Sequence, residues 1–202
     1  MTTAEIVTSV IAILSLMVSG LTAYLTLLSR FKGALIPKRR AILTQIAGVP
    51  YVILECEFSN SGAKHGSIED IMITIVHDET GTQFRFAPHL VRNQFDMFDR
   101  YQVSDFGVFS AVSLGSKERR ELYIAFKPLL PQFSPPTSGV FTVHTSIKID
   151  GASKWTNSHR TFSLGLNESI VQKWTSPKGE AQQIEAIEIG KSRQQYLVAR
   201  QR

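Results

Sequence analysis

Residues 6–28 read IVTSVIAILSLMVSGLTAYLTLL, a stretch of 23 residues without a charged side chain. A helix advances about 1.5 Å per residue, so about 20 mostly apolar residues are enough to cross the hydrocarbon core of a bilayer. Glu5 precedes the stretch, and the basic residues Arg30 and Lys32 follow it. The sequence therefore predicts a single-pass membrane protein whose transmembrane anchor occupies residues 1–29.

The charges around the anchor predict its orientation. All the flanking Lys and Arg residues lie on the C-terminal side, and basic residues close to a membrane stay in the cytoplasm. We therefore expect the protein in the cell inner membrane, with the N-terminus outside and the C-terminal domain cytoplasmic. The alternative is a cleaved signal peptide, which would have a basic segment before a shorter apolar core. The single Cys56 agrees with a cytoplasmic domain, because it cannot form an intramolecular disulfide.

One stripe of the predicted helix carries small and hydroxyl-bearing residues. They are Thr8, Ala12, Ser15, Ser19, Thr22 and Thr26. Spacings that alternate between three and four residues keep such a stripe facing a partner helix, and small side chains let two backbones approach. We predict helix association here, either as a homo-oligomer or with another membrane protein. The alternative is that the hydroxyls bond back to their own helix.

A basic segment, residues 30–40, follows the anchor and is predicted to be a juxtamembrane linker. Its basic residues are Arg30, Lys32, Lys38, Arg39 and Arg40. Each could contribute about 1 kcal/mol of attraction to an anionic leaflet, so membrane lipid headgroups are the predicted ligand. They also fit a stop-transfer role. The positive charge of these five residues alone equals the net charge of the chain, +5. The excess of basic residues is therefore no indication of a nucleic-acid partner, and we expect none.

The segment 41–166 alternates between apolar and polar residues, which is typical of strands with one buried face. The residues predicted to face the core are Val52, Leu54, Cys56 and Phe58; Ile71, Ile73 and Ile75; Leu122, Ile124 and Phe126; Phe141, Val143, Thr145, Ile147 and Ile149; and Phe162, Leu164 and Leu166. Weaker runs at 82–86 and 107–114 predict two more strands. Gly and Asn turns separate the runs, so we predict a mainly β fold, an antiparallel β-sandwich.

Several segments carry a resemblance to known domains. Residues 58–62 with 68–75, and also residues 116–126, resemble parts of immunoglobulin-like domains in bacterial envelope and accessory proteins. Residues 19–26 with their basic flank resemble the anchor of uncharacterised bacterial single-pass membrane proteins that have a compact β-domain. The resemblance implies an immunoglobulin-like β-sandwich after a single N-terminal transmembrane helix. It implies no activity and no residue roles.

Two segments interrupt the alternation. Between Pro88 and Asp105, the aromatic residues Phe95, Phe98 and Tyr101 recur at helical spacing, which predicts a short helical insertion. Its aromatics either plug one end of the core or form a partner-binding surface. Residues 167–202 are predicted to be a C-terminal helix or mobile tail, with a short helix that begins after Asn167.

Motifs that carry chemistry are missing from the sequence. The five histidines are scattered, and no phosphate-binding loop, dinucleotide fingerprint or HExxH pattern is present. We therefore expect no cofactor, no metal and no enzyme activity, although a hydrolase with a site assembled from distant residues stays open. The predicted function is a membrane-anchored protein-binding or scaffolding module at the cytoplasmic face. The alternative is a membrane-acting effector or sensor whose anchors associate to perturb the bilayer.

Overall fold

The fold is that of a computed structural model, which describes residues 2–46, 48–93, 106–129, 138–158, 161–175, 182–185 and 187–188. It contains an N-terminal helix, an antiparallel β-sheet that forms the bulk of the protein, and one short helix near the end of the described chain. This confirms the predicted fold class of an N-terminal apolar helix followed by an antiparallel β fold.

The N-terminal helix α1 (Thr3–Ala23) continues directly into a π-helical turn, Tyr24–Leu28. A capping box starts it: the Glu5 amide donates to the Thr2 hydroxyl, and the Thr2 amide donates to the Glu5 carboxylate. The 26 residues Thr3–Leu28 are long and apolar enough to cross a membrane, at about 39 Å by the helical rise. No residue of this span is buried against the sheet, so its apolar surface is available to lipid.

The described residues form twelve strands. They are β1 (Gly33–Ile46), β2 (Val49–Asn60), β3 (Gly66–His77), β4 (Gln83–Arg92), β5 (Gly107–Val108), β6 (Val112–Leu114), β7 (Arg119–Pro128), β8 (Gly139–Ile149), β9 (Thr156–Asn157), β10 (Phe162–Leu166), β11 (Gln182–Glu185) and β12 (Ile187–Glu188). A second helix, α2 (Glu168–Thr175), follows β10, and the Asn167 side chain caps it by accepting from the Ile170 amide.

One continuous sheet folds over to make both layers of the sandwich. Its order is β11-β1-β2-β7-β4-β3-β8-β10-β12, and every pair is antiparallel. Strand β4 turns the corner: residues 83–86 pair with β3, while residues 86–92 pair with β7, with a register shift between Pro88 and Leu90. A bulge of this kind bends a strand sharply, so β1-β2-β7 and β3-β8-β10 face each other.

The core lies between these layers and contains the residues that the alternation predicted. Phe58, Phe86, Phe126 and Phe141 are at most 1% exposed and fill its centre. Cys56 is fully buried there as a free thiol, and burial raises the pKa of that thiol far above its ordinary value. Cys56 is therefore a packing residue, as the strand pattern indicated.

The structure differs from the sequence prediction at three boundaries. Strand β1 begins at Gly33, so most of the predicted 30–40 linker belongs to the sheet. The first residues of the predicted helical insertion, 88–92, continue β4, and residues 94–105 lie outside the described residues. In the predicted tail, β11 pairs with β1 and β12 pairs with β10, which periodicity could not indicate in a segment with so few large apolar residues.

Candidate functional site

Ser29 joins the anchor helix to the sheet and is buried, with 4% of its surface exposed. Its carbonyl accepts from the amides of Ala63 (3.0 Å) and Lys64 (3.1 Å) in the turn between β2 and β3. Its hydroxyl also accepts from the Ala63 amide (2.8 Å) and donates to the Leu25 carbonyl (3.1 Å). The last carbonyls of a helix lack partners within the helix. Here the β2–β3 turn supplies two amides to the Ser29 carbonyl, and the Ser29 hydroxyl supplies a donor to Leu25.

Asn60 forms the second part of this junction and is 2% exposed. Its side-chain oxygen accepts from the amides of Lys32 (3.1 Å) and Gly62 (2.8 Å). Its side-chain nitrogen donates to the carbonyls of Lys64 (2.8 Å) and Gly115 (2.7 Å). All the hydrogen-bonding groups of this buried amide are thus used. One side chain ties together the segment after the helix, the β2–β3 turn and the β6–β7 turn.

Close backbone contact completes the junction. A Cβ atom placed on Gly62 would lie 1.9 Å from the Arg30 carbonyl oxygen, so only glycine lets these two segments meet. The Phe31 ring packs directly against Gly33 and Gly66, because a Cβ atom on either glycine would lie within 2.8 Å of the ring. We define the helix–sheet junction as residues 29–32 together with residues 60–64.

Antiparallel pairing brings three turns to the end of the sheet where the helix enters. Strands β1 and β3 start there, β2 and β8 end there, and β7 starts there. The turns are residues 61–65, 115–118 and 150–155, and we call this end the anchor end. The Asp150 amide donates to the Ser67 carbonyl (3.0 Å), and the Lys117 amide donates to the Gly62 carbonyl (3.3 Å). All three turns are thus tied to the start of β3 or to the junction.

Exposed basic residues surround the helix where it enters the anchor end. Arg30 and Lys32 follow the helix, Lys64 lies in the β2–β3 turn, and Lys117 lies in the β6–β7 turn. The Lys117 ammonium donates to the Ser61 carbonyl. Among the described residues, Arg30, Lys32 and Lys64 form no ion pair. An anionic surface at this end would meet several basic side chains at once.

A groove of about 450 Å³ opens beside the junction. Its polar lining includes His65, Ser67, Glu118, Arg120 and Asp150. Glu118 accepts from the Gly115 amide, which is the main reason that its pKa is lowered, and it also accepts from Arg120 at 3.1 Å. The groove therefore offers donors and acceptors to a small polar ligand. Among the described residues, no cluster of His, Cys, Asp and Glu could hold a metal ion.

The predicted stripe lies on the exposed surface of the anchor helix. Three of its hydroxyls donate to carbonyls of the same helix: Thr8 to Ala4 (2.9 Å), Thr22 to Val18 (2.8 Å) and Thr26 to Thr22 (2.7 Å). These bonds match the alternative in which the hydroxyls are satisfied locally. Ala12, Ser15 and Ser19 are exposed on the same helix. Helix association through the stripe stays a prediction.

The basic residues predicted to bind lipid headgroups divide into two groups. Arg30 and Lys32 lie at the junction, whereas Lys38, Arg39 and Arg40 lie in β1, which runs away from the helix. At about 3.3 Å per residue, Lys38 is roughly 16 Å along the strand from Gly33. Its ammonium forms ion pairs with Glu55 (3.0 Å) and Glu121 (2.6 Å). The hydrogen bond to Glu121 is the main cause that raises the pKa of Lys38.

The aromatic residues Phe95, Phe98 and Tyr101, the predicted partner surface, lie outside the described residues. After that segment, Phe106 packs on a small cluster on the outer face of the sheet, formed by Ile42, Tyr51, Ile53 and Ala125. The Tyr51 hydroxyl and His89 Nδ1 are 2.6 Å apart there. Burial lowers the pKa of His89 and raises that of Tyr51. This pair is consistent with a neutral hydrogen bond that supports packing.

Sequence reasoning missed the junction residues Ser29, Asn60 and Gly62. The motif Asn60-Ser61-Gly62 indicated a turn, and the structure confirms that turn. Its partners lie far away along the chain, with Lys32 at a separation of 28 residues and Gly115 at 55. Local patterns contain no information about such contacts. The one available signal was a glycine and an asparagine at a strand end, which is common to many turns.

We predict that Gly62→Ala weakens the junction. The new methyl group has no space beside the Arg30 carbonyl, so the free energy of unfolding should fall by about 1 to 3 kcal/mol, as in other overpacked sites. Urea titration of the detergent-solubilised full chain measures this. Trypsin should also cut faster after Arg30 and Lys32, because the Lys32 backbone loses its hydrogen bonds to Asn60 and Ser61.

Gly165→Ala is the matched control. Nothing lies within 4 Å of a Cβ at Gly165, so the stability should change by less than about 0.5 kcal/mol. If both variants unfold and are cleaved like the unchanged protein, Gly62 does not hold the junction together.

Comparison with known proteins adds no site to those described above. No family model matches the chain, and no curated protein matches it. The junction, the basic residues around it and the neighbouring groove are therefore identified from their geometry. They form the candidate functional site of this protein.

Proposed function

We propose that the protein is a membrane-anchored protein-binding or scaffolding module that acts at the cytoplasmic face of the inner membrane, with its N-terminus outside. One observation carries this proposal: the apolar helix joins the sheet through the hydrogen bonds of Ser29 and Asn60. A module joined in this way presents defined faces at a fixed height above the bilayer. That is useful to a scaffold, whose partners must be held in place.

The basic residues of the junction support the orientation. Arg30, Lys32, Lys64 and Lys117 surround the C-terminal end of the helix, whereas Glu5 is the charged side chain near its N-terminal end. Basic residues that flank a transmembrane helix favour the cytoplasmic side. Arg30 and Lys32 directly follow the helix in the sequence, and the folded domain brings Lys64 and Lys117 to the same end.

Strand β5 is the surface that we propose for a protein partner. Among the described residues it pairs with β4 alone, so within that part of the chain its other edge is open to a further strand. Val108 in this strand is 77% exposed, the largest exposure of any large apolar side chain in the described sheet. An extended peptide can add to such an edge through main-chain hydrogen bonds. The strand also directly follows the segment that contains Phe95, Phe98 and Tyr101.

We predict that a reporter fused after Arg202 is active in its cytoplasmic form. The variant Arg30→Gln with Lys32→Gln should increase the fraction of chains with the opposite orientation, since the charge bias across the helix becomes smaller. The control, Arg85→Gln with Lys127→Gln, removes the same charge at the other end of the sheet. Strong activity of a periplasm-dependent reporter on the unchanged chain would reverse the proposed placement.

We predict that a photo-crosslinking amino acid at position 108 captures a discrete protein partner in intact membranes. The same amino acid at position 129 is the control, because Leu129 is 52% exposed and lies after the far end of β7. A crosslinked product from position 108 alone supports binding at β5. Equal yields at both positions would indicate random collisions with other proteins and no specific binding at the β5 edge.

The groove beside the junction favours a second candidate function, an effector or sensor whose anchors associate and perturb the bilayer. Gly115 lines the groove, and its carbonyl accepts the hydrogen bond from Asn60. A ligand bound in the groove would contact the β6–β7 turn, which is tied to the junction through Asn60. Binding could thereby change how the anchors associate.

This second function predicts leakage of a small dye from cells that express the protein. Ser15→Leu with Ser19→Leu should abolish the leakage, because larger side chains keep two helix backbones apart. Leu14→Ile with Leu21→Ile, which lie off the stripe, should leave it unchanged. Cells that stay impermeable to the dye at high expression would argue against an effector.

A further inference from the structure

We infer that the β8–β9 turn, residues 150–155, is a second membrane contact that places Trp155 and Lys154 in the headgroup region of the bilayer. The inference rests on the proposed membrane anchoring and assigns a lipid-binding surface on the folded domain. Both side chains are exposed, Trp155 by 41%. Apart from those in the anchor helix, few large apolar side chains in the described chain are this exposed.

Two contacts fix the height of this turn relative to the helix. At its start, the Asp150 amide donates to the carbonyl of Ser67, next to Gly66, which packs on Phe31 of the junction. After it, the Ser158 hydroxyl donates to the Leu35 carbonyl (3.1 Å) in β1. The turn therefore lies at the anchor end of the sheet, where the helix enters.

The strand register places Asp150 at the level of the junction and Trp155 two residues farther along the sheet. Strand β9 is antiparallel to β8, and β8 is antiparallel to β3, so β9 runs away from the anchor end like β1 and β3. Thr156 in β9 pairs with Ile147 in β8, so Trp155 lies opposite Lys148, two residues or about 7 Å from Asp150. Residues 151–154 form the tip of the turn, beyond the end of β8 and at the end of the sheet where the helix enters.

The chemistry of the turn fits the bilayer interface. Tryptophan concentrates at the level of lipid headgroups, where its ring contacts acyl chains and its N–H contacts polar groups. Lys154 beside it can approach lipid phosphates, as can the basic residues of the junction. Acidic groups also lie at this end: Glu118 is paired with Arg120 and Glu69 with Lys148, and Asp70 and Asp150 add two further carboxylates. The basic residues Arg30, Lys32, Lys64, Lys117 and Lys154 outnumber these two carboxylates. Anionic lipid therefore complements this surface.

A second contact would limit the tilt of the domain. The helix alone can tilt in the bilayer, and the sheet joined to it would tilt with it, whereas a turn that enters the interface two strands away from the start of β3 opposes that motion. The strand edge at β5 would then be held away from the lipid, in a position to meet a partner.

Fluorescence of the full chain in vesicles tests the inference. The vesicles contain phosphatidylcholine and anionic phosphatidylglycerol with bromine on the acyl chains near the headgroups. The protein has two tryptophans, and Trp174 is 2% exposed in the core, with its Nε1 donating to the Tyr51 carbonyl. We expect the brominated lipid to remove about half of the emission, since one of the two rings lies at the interface. Trp155→Phe should lose this quenching.

The matched control moves the exposed tryptophan to the other end of the sheet. Leu129→Trp in the Trp155→Phe variant should be quenched by aqueous iodide and not by the brominated lipid. If Trp155 in the unchanged chain behaves like the tryptophan introduced in this control while the protein floats with the vesicles, the second contact does not exist and anchoring stands. If the protein does not float with the vesicles, the proposed anchoring fails, and the inference fails with it.

Discussion

The hydrogen bonds between Ser29 and the β2–β3 turn are the constraint on which the arrangement of this protein depends. A helix ends with carbonyls that lack partners within the helix. In this protein the Ser29 carbonyl is buried and accepts from two amides of the turn. The end of the anchor helix is thereby also the beginning of the folded domain. The chain has no room for a flexible linker between Leu28 and Gly33.

Burial and hydrogen bonding at the junction depend on each other. Asn60 can be buried because each of its polar groups has a hydrogen-bond partner. A buried polar group without a partner would cost about 1 to 3 kcal/mol. Gly62 brings the Arg30 backbone close enough to exclude water from these bonds. The hydrogen bonds join three segments that the sheet alone would leave separate. The groove beside Gly115 is bounded by the same turns.

Local patterns are enough to predict the sheet but not the junction. The alternation in β2, β3, β7 and β8 reflects one buried face per strand, which each segment contains by itself. The alternation does not predict strand β1, for two reasons. A register shift between Pro37 and Ala41 interrupts its pairing with β2, and its basic residues are typical of a juxtamembrane linker. The junction leaves no local pattern, since its contacts join residues 28 to 55 positions apart. Trp155 likewise gains its meaning only from the strand register, which places it near the anchor end.

The continuous connection from α1 into β1 makes rotation of the helix equivalent to rotation of the domain. Each helical residue turns the chain by about 100°. One residue inserted before Ser29 would therefore rotate the domain, and β5 with it, by about 100° around the helix axis. If several of these helices associate, the rotation of each helix about its axis would determine which faces of neighbouring domains are adjacent. The length of the helix is thus under a second constraint, besides the need to be long enough to cross a bilayer.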